Sequence, residues 1–146
     1  MILDRKEIAK MVPHSGAMCL LDAVVAWDQA QIVCHSVRHQ AEDNPLRSRN
    51  RLSALHAIEF AAQAMAVHQR LSADGSTRPR YGLLVSLRQC TFASDRLDTC
   101  ASPLVIEATR IASTADALSY RFSVGTSETP IAAGRASVLL VREAGT

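Results

Sequence analysis

The sequence predicts an α+β fold in which an antiparallel sheet of about six strands wraps around one long central helix. One observation is the order of patterns along the chain: two strand-like segments, a long helical run, then four more strand-like segments. Another is the helical run "ALHAIEFAAQAMAVH" (54–68), whose alanines (Ala54, Ala57, Ala61, Ala62, Ala64, Ala66) fall nearly all the way round. A helix lying on an open sheet keeps a charged outer face, whereas one this apolar is covered on most sides. The third is the brevity of the connections, since "DQA", "STAD" and "TSETP" are of hairpin length and favour one continuous antiparallel sheet.

The elements follow in order. Residues 4–11 suit a short helix capped by Asp4 and ending before Pro13, because the residue ahead of a proline is driven out of helical geometry. "MCLLDAVVAW" (18–27) reads as a strand, and "QIVCHSVR" (31–38) as its hairpin partner with period-two alternation. A polar stretch, "HQAEDNPLRSRN" (39–50), leads into the helix, about Leu52 to Leu71, with Ser53 as its N-cap. Strand patterns then occupy 81–92, 103–112, 117–126 and 131–141. In the third of these, Leu118, Tyr120, Phe122 and Val124 share one face while Ser119, Arg121 and Ser123 share the other. A curved sheet around one helix is the hotdog arrangement, and residues 1–146 are expected to form a single hotdog domain.

Composition narrows the function classes. A net charge of +2 with 4% aromatic residues lacks the basic stripe and stacking platforms of a nucleic-acid binder. No window approaches the apolar length of a membrane span, and "MILDRKEIAK" does not read as a secretory signal, so a cytoplasmic protein is expected. Cys19, Cys34, Cys90 and Cys100 form no CxxC pair and read as reduced, packed thiols. His35 and His39 are spaced for a metal on a helix, but on a strand they stand ~13 Å apart and cannot share an ion. Neither a metal nor a cofactor is expected.

Glu59 is the one carboxylate in the apolar run, and His56, Glu59 and Gln63 fall on one helical stripe. A carboxylate in such surroundings is hydrogen-bonded, paired or protonated. It is either a structural partner of His56 or an arginine, a residue reaching solvent at a dimer edge, or a catalytic group. Arg47, Arg49 and Arg51 alternate ahead of the helix, either as a solvated surface or as a landing site for phosphate or an acidic partner.

The element Glu59-x-x-x-Gln63 within "IEFAAQAMA", together with "VPHSGAMCLLDAV" (12–24), resembles the 3-hydroxyacyl-[acyl-carrier-protein] dehydratases of fatty-acid synthesis. The resemblance is strongest to their divergent branch associated with aryl-polyene pigments, whose helix also ends near a histidine such as His68. It implies a hotdog homodimer with shared sites, acting on acyl carrier protein or CoA thioesters. Glu59 is then the candidate acid, with His56, Gln63 and His14 as further catalytic candidates. Asn44 and Pro45, with Arg47, Arg49 and Arg51, would meet the substrate arm. In those dehydratases a histidine precedes the helix, but the matching stretch here is Asn44-Pro45-Leu46. The usual base is therefore missing from its place, and two alternatives stand beside the dehydratase: an acyl thioesterase of the same fold, and a non-catalytic acyl-binding partner subunit.

Overall fold

The computed structural model describes residues 2–12, 16–73 and 80–142. β1 (Leu3–Asp4) runs into α1 (Arg5–Ala9), which Asp4 starts with a full capping box: its side chain accepts from the Glu7 amide at 2.9 Å while Glu7 accepts from the Asp4 amide. β2 (Ala23–Trp27) and β3 (Gln31–Ser36) form the expected hairpin, turned by the Asp28 carboxylate, which accepts from the amides of Ala30 and Gln31. The central helix begins with a 3₁₀ turn, Ala54–His56, capped by Ser53, and continues as α2 (Ala57–Ser72). β4 (Arg80–Phe92), β5 (Leu104–Ser113), β6 (Ala117–Gly125) and β7 (Pro130–Arg142) complete the sheet.

The sheet has seven strands in the order β1-β2-β3-β5-β6-β7-β4, each pairing antiparallel with its neighbours. The seventh strand is the two-residue β1, too short to announce itself as an alternating pattern. The chain passes through α2 between β3 and β4, and β4 lands on the far edge beside β7. The sheet therefore curls over the helix, and this is the hotdog arrangement.

Alternation decides which side chains face the helix. Leu118, Tyr120, Phe122 and Val124 on β6 and Leu104, Ile106 and Ala108 on β5 are buried against the inner face, where Phe60, Ala61, Ala64 and Val67 of α2 meet them. Each large apolar side chain removed from water in this way contributes ~1.5–3 kcal/mol. Between Phe60 and Gln69 only Ala62 and Ala66 are not buried. The cover is thus nearly complete, but one strip stays open: Leu55, Glu59, Ala62, Ala66 and Arg70 follow one another at helical spacing along it.

The segment expected to begin the first strand behaves otherwise. Gly16–Met18 form a 3₁₀ turn, Cys19–Leu21 are buried, and the strand proper starts only at Ala23. Side chains from elsewhere satisfy this stretch in place of a ladder, as described below. All four cysteines are free, with Cys19 and Cys34 buried, and burial pushes the Cys34 thiol up to about 12. No helix among the described residues is long and apolar enough to cross a membrane.

Near the C-terminal end of α2 lies a polar chain inside the core. His68 Nε2 is 2.8 Å from the Asp28 carbonyl, which can only accept, so Nε2 carries the proton. Its Nδ1 then accepts from the Tyr120 hydroxyl at 2.6 Å, and that hydroxyl accepts from Arg110 at 3.2 Å. Burial lowers the proton affinity of His68, and the Arg110 charge lowers it further; burial likewise lowers that of His39. As pH falls through the ordinary histidine value of 6.5, the unfolded chain takes up these protons before the folded one does, so the contribution of these two histidines is constant well above that value and declines below it. Urea midpoints are expected to fall between pH 7.5 and 5.5. In His68→Gln, which keeps a donor toward Asp28, the drop should be visibly shallower.

Candidate active site

The site is assembled at the end of the sheet where α2 begins. Leu52 donates its amide to Asp98 and accepts from Leu97, and Ala54 donates to the Asp95 carbonyl, so the strand-to-helix entry is tied down before the first helical turn. Arg96 grips Asp98 with two guanidinium bonds and holds that carboxyl down at about 2. Beside this entry a surface cleft of about 480 Å³ is lined by Ser53, Ala54, Leu55, Phe92 and Asp95, with Leu55 63% and Phe92 38% exposed.

Glu59 lies one turn past Leu55 on the open strip, in the first turn of α2, where the helix dipole favours a negative charge. It is exposed, and no hydrogen bond or ion pair joins it to another described residue. Of the alternatives left open by the apolar run, this chain shows Glu59 exposed and without a side-chain partner among the described residues, on a strip where Leu55 is exposed and Ala62 and Ala66 are half-buried. His56 is half-buried at the start of α2, and its side chain makes no capping bond.

Gln63, one turn further, is buried and fully engaged. Its carboxamide nitrogen donates to the Met18 carbonyl at 2.7 Å, and its oxygen accepts from the Leu20 amide at 2.8 Å. That fixes the segment following the Pro-His pair against the helix. Arg5 holds the same segment from the other side by donating to the carbonyls of Gly16 (3.0 Å) and Leu21 (3.4 Å), and the Ser36 hydroxyl donates to the Leu20 carbonyl. Asp22 closes the cluster, accepting from the Val37 amide at 2.7 Å and pairing with Arg38 at 3.3 Å and Arg5 at 3.7 Å. His14 itself lies outside the described residues. Arg5, Ser36 and Asp22 as ties on this segment carry no signal in local sequence, since each bonds to backbone 11 to 16 residues away.

The loop between β3 and the helix is built around Asn44. Its amide donates to the Arg38 carbonyl at 2.8 Å, and its oxygen accepts from the Leu46 amide at 2.9 Å, so the side chain is buried and occupied; Pro45 next to it is exposed. Arg47 is drawn in, donating to the carbonyls of Asn50 (3.1 Å) and His39 (3.5 Å). Ser48 and Arg51 pair across a two-residue turn whose central residues, Arg49 and Asn50, both have positive φ (54° and 61°), a type I′ geometry that asparagine tolerates and arginine does not favour. Arg49 and Arg51 are thereby thrust outward. His39 is buried, with its Nε2 proton donated to the Cys100 carbonyl at 3.0 Å, and it does not reach the surface near Glu59.

Gln63 thus ties the segment after the Pro-His pair to the first turns of the helix, which also carry His56 and Glu59, whereas the Asn44 loop bonds to its own backbone. An antiparallel sheet curled over one long central helix defines a protein of the hotdog class. Residues 6–145 match the family described as ApeP-like, ApeP dehydratase, and the chain belongs to that family. Its fold is similar to the dehydratase heterocomplex ApeI:P from Xenorhabdus doucetiae, at 22% identity and a TM-score of 0.76 over 93% of this chain and 91% of the other. It is also similar to a thioesterase from Haemophilus influenzae (9% identity, TM-score 0.69, 100% and 97% covered) and to a mutant thioesterase from Pseudomonas aeruginosa (14%, 0.66, 97% and 96%). No curated protein sequence matches the chain.

Replacing Gln63 by leucine strands the Met18 carbonyl and Leu20 amide in the core and is expected to cost about 2–6 kcal/mol, from ~1–3 kcal/mol per orphaned group. Hydrogen exchange at residues 16–22 should rise with it. Equal protection in variant and wild type would show that Gln63 does not hold the segment.

Proposed function

We propose that the chain binds 3-hydroxyacyl thioesters, presented on an acyl carrier protein or CoA, and takes part in removing water from them in fatty-acid or polyene synthesis. The site is one that a second hotdog chain completes. The observation that carries this is the position of Glu59 on the uncovered strip of α2, continuous with the free edge of β4. That edge exposes Leu83, Leu84, Val85 and Leu87, and α2 and β4 adjoin through Ala62, Ala66, Gly82 and Leu84. An unpaired, apolar edge strand beside an uncovered helical strip is a surface built to be covered. A second copy laid edge to edge along β4 pairs the strand and shields Glu59, and a homodimer is the simplest such assembly.

Dehydration needs a base at the carbon next to the thioester carbonyl, an acid for the departing hydroxyl and donors for the thioester oxygen. Glu59 serves as the acid once the second chain excludes water, and amides at the start of the helix serve as donors. The Asn44-Pro45-Leu46 stretch supplies no base, because the Asn44 amide is already occupied. His14 is the candidate within the chain, on a segment that Gln63 and Arg5 hold in place. The outward Arg49 and Arg51 meet phosphate or the acidic carrier, whereas Arg47 supports the loop. The four free thiols accord with a reducing, cytoplasmic setting.

The missing loop histidine also favours a second reading, in which a histidine-bearing partner chain completes the site and this chain contributes Glu59. The similar ApeI:P assembly is a heterocomplex. Incubating the purified protein with 3-hydroxyacyl carrier-protein and CoA thioesters separates the readings by mass: loss of water marks a dehydratase, a free thiol marks a thioesterase, and no change by the chain alone marks dependence on a partner. Glu59→Gln should reduce water loss at least ~100-fold, the usual scale of a general acid; equal turnover would remove Glu59 from the chemistry. On light scattering, Leu83→Lys/Val85→Lys should shift the particle from dimer to monomer. A wild-type monomer at micromolar concentration would sink the edge-to-edge assembly.

A further inference from the structure

The face of the sheet turned away from α2 carries three arginines in a row. Arg88 on β4 stands directly opposite Arg135 on β7, and Arg135 directly opposite Arg121 on β6. All three are exposed, and none of the three guanidinium groups makes an ion pair or hydrogen bond with another described residue. Like charges directly opposite one another destabilise a sheet. The row depends on a β-bulge: β4 takes an extra residue between Leu84 and Ser86, and without it Arg88 would fall on the inner face. A backbone irregularity that lines up three repelling charges points to something outside the chain that offsets them.

Beside the row lies a furrow of about 300 Å³, open to solvent, floored by Ala133 and Gly134 and bounded by Arg121, Arg135, Ser123 and Glu107. It is too open to bury most of a small ligand, as a small-molecule site does. We propose that this face docks a partner protein through a helix that presents carboxylates at i, i+3 or i+4, and i+7. Adjacent strands are ~4.8 Å apart, so the outer arginines stand ~10 Å from each other across the strands. Seven residues of helix rise ~10.5 Å, so the two rows match charge for charge. Small side chains flank the arginines on both sides, Ser86, Ser137 and Ser119 along one and Thr91, Ala133 and Ser123 along the other, and leave room for a helix lying across the strands. Glu107, paired with Ser123 at the β5 end of the furrow, gives the docked helix a direction by favouring a basic or donor group there. The face is on the opposite side of the sheet from Glu59 and does not rest on the reading of that site.

The test uses two labelled alanine-based helical peptides of identical composition, one with glutamates at i, i+4 and i+7 and one with them spread around the helix. Fluorescence anisotropy against the full chain should show the patterned peptide binding at least ~10-fold tighter at ~50 mM salt, with most of that affinity lost at ~300 mM. Arg88→Gln/Arg121→Gln/Arg135→Gln should lose the preference while melting at the same or a higher temperature, since repulsion is removed. The proposal is overturned if the two peptides bind alike, if inorganic phosphate at matched charge displaces the patterned peptide, or if the triple variant binds it as the wild type does. A lower melting temperature in the triple variant would assign the arginines a structural role and overturn it too.

Discussion

The carboxamide of Gln63 holds together the two parts of the chain that the site needs. It is buried, both of its ends are used, and its two partners are backbone groups of Met18 and Leu20, residues that lie outside any ladder. Buried backbone left without a partner costs about as much as a lost hydrogen bond. A side chain on the helix thus takes over what a strand would otherwise do. Because Gln63 is one turn from Glu59, the bond that stabilises the segment also sets its position relative to the carboxylate. Arg5 and Ser36 then confine it from the sheet side, and its own Asp22 reaches out to the Val37 amide, so three side chains from distant parts of the chain converge on seven residues, 16–22. Such convergence favours a fixed geometry, which a site gains from if the preceding residues act on a substrate.

The second constraint is the incompleteness of the core. α2 is apolar almost all round, yet the chain covers it fully only on the sheet side, and the strip through Leu55, Glu59, Ala62 and Ala66 stays exposed or half-buried. The β4 edge beside it carries exposed leucine and valine where an unprotected edge would carry lysine or proline. Both features cost stability in an isolated chain, and the second chain proposed above would relieve both. Glu59 sits in the same gap, so the open packing and the proposed chemistry share one surface.

The fold was legible where local rules act alone. The Asp4 cap, the hairpin at Asp28, the Ser53 start of the helix and the alternating face of β6 are all short-range, and each is found. Residues 18–22 read as strand from their apolar run, but the competing side-chain bonds come from residues up to 45 positions away and no window contains them. Arg49 at positive φ goes against propensity, so the turn at 48–51 was invisible as a turn and appeared as a polar loop. At the candidate site, Glu59 was conspicuous because it broke an apolar pattern, but that pattern could not separate a partnered carboxylate from an exposed one. Its exposure depends on which strip of the helix the sheet leaves open, and no local window of sequence contains that.

The bulges in β4 show a further limit of reading by period. With strict alternation, Leu84 and Arg88 would share a face; the extra residue after Leu84 separates them, sending Leu84 toward α2 and Arg88 to the outer surface. A second irregularity between Arg88 and Thr91, with Gln89 at φ 53°, bends the strand again before Phe92 reaches the cleft at the helix start. One strand therefore contributes to three surfaces: its middle to the open edge, its outer side to the arginine row and its end to the cleft beside the entry of α2. A straight β4 could serve only two of these, one on each face. The irregular strand is what allows a sheet this small to keep an exposed apolar edge, a charged outer face and the cleft beside the helix start apart.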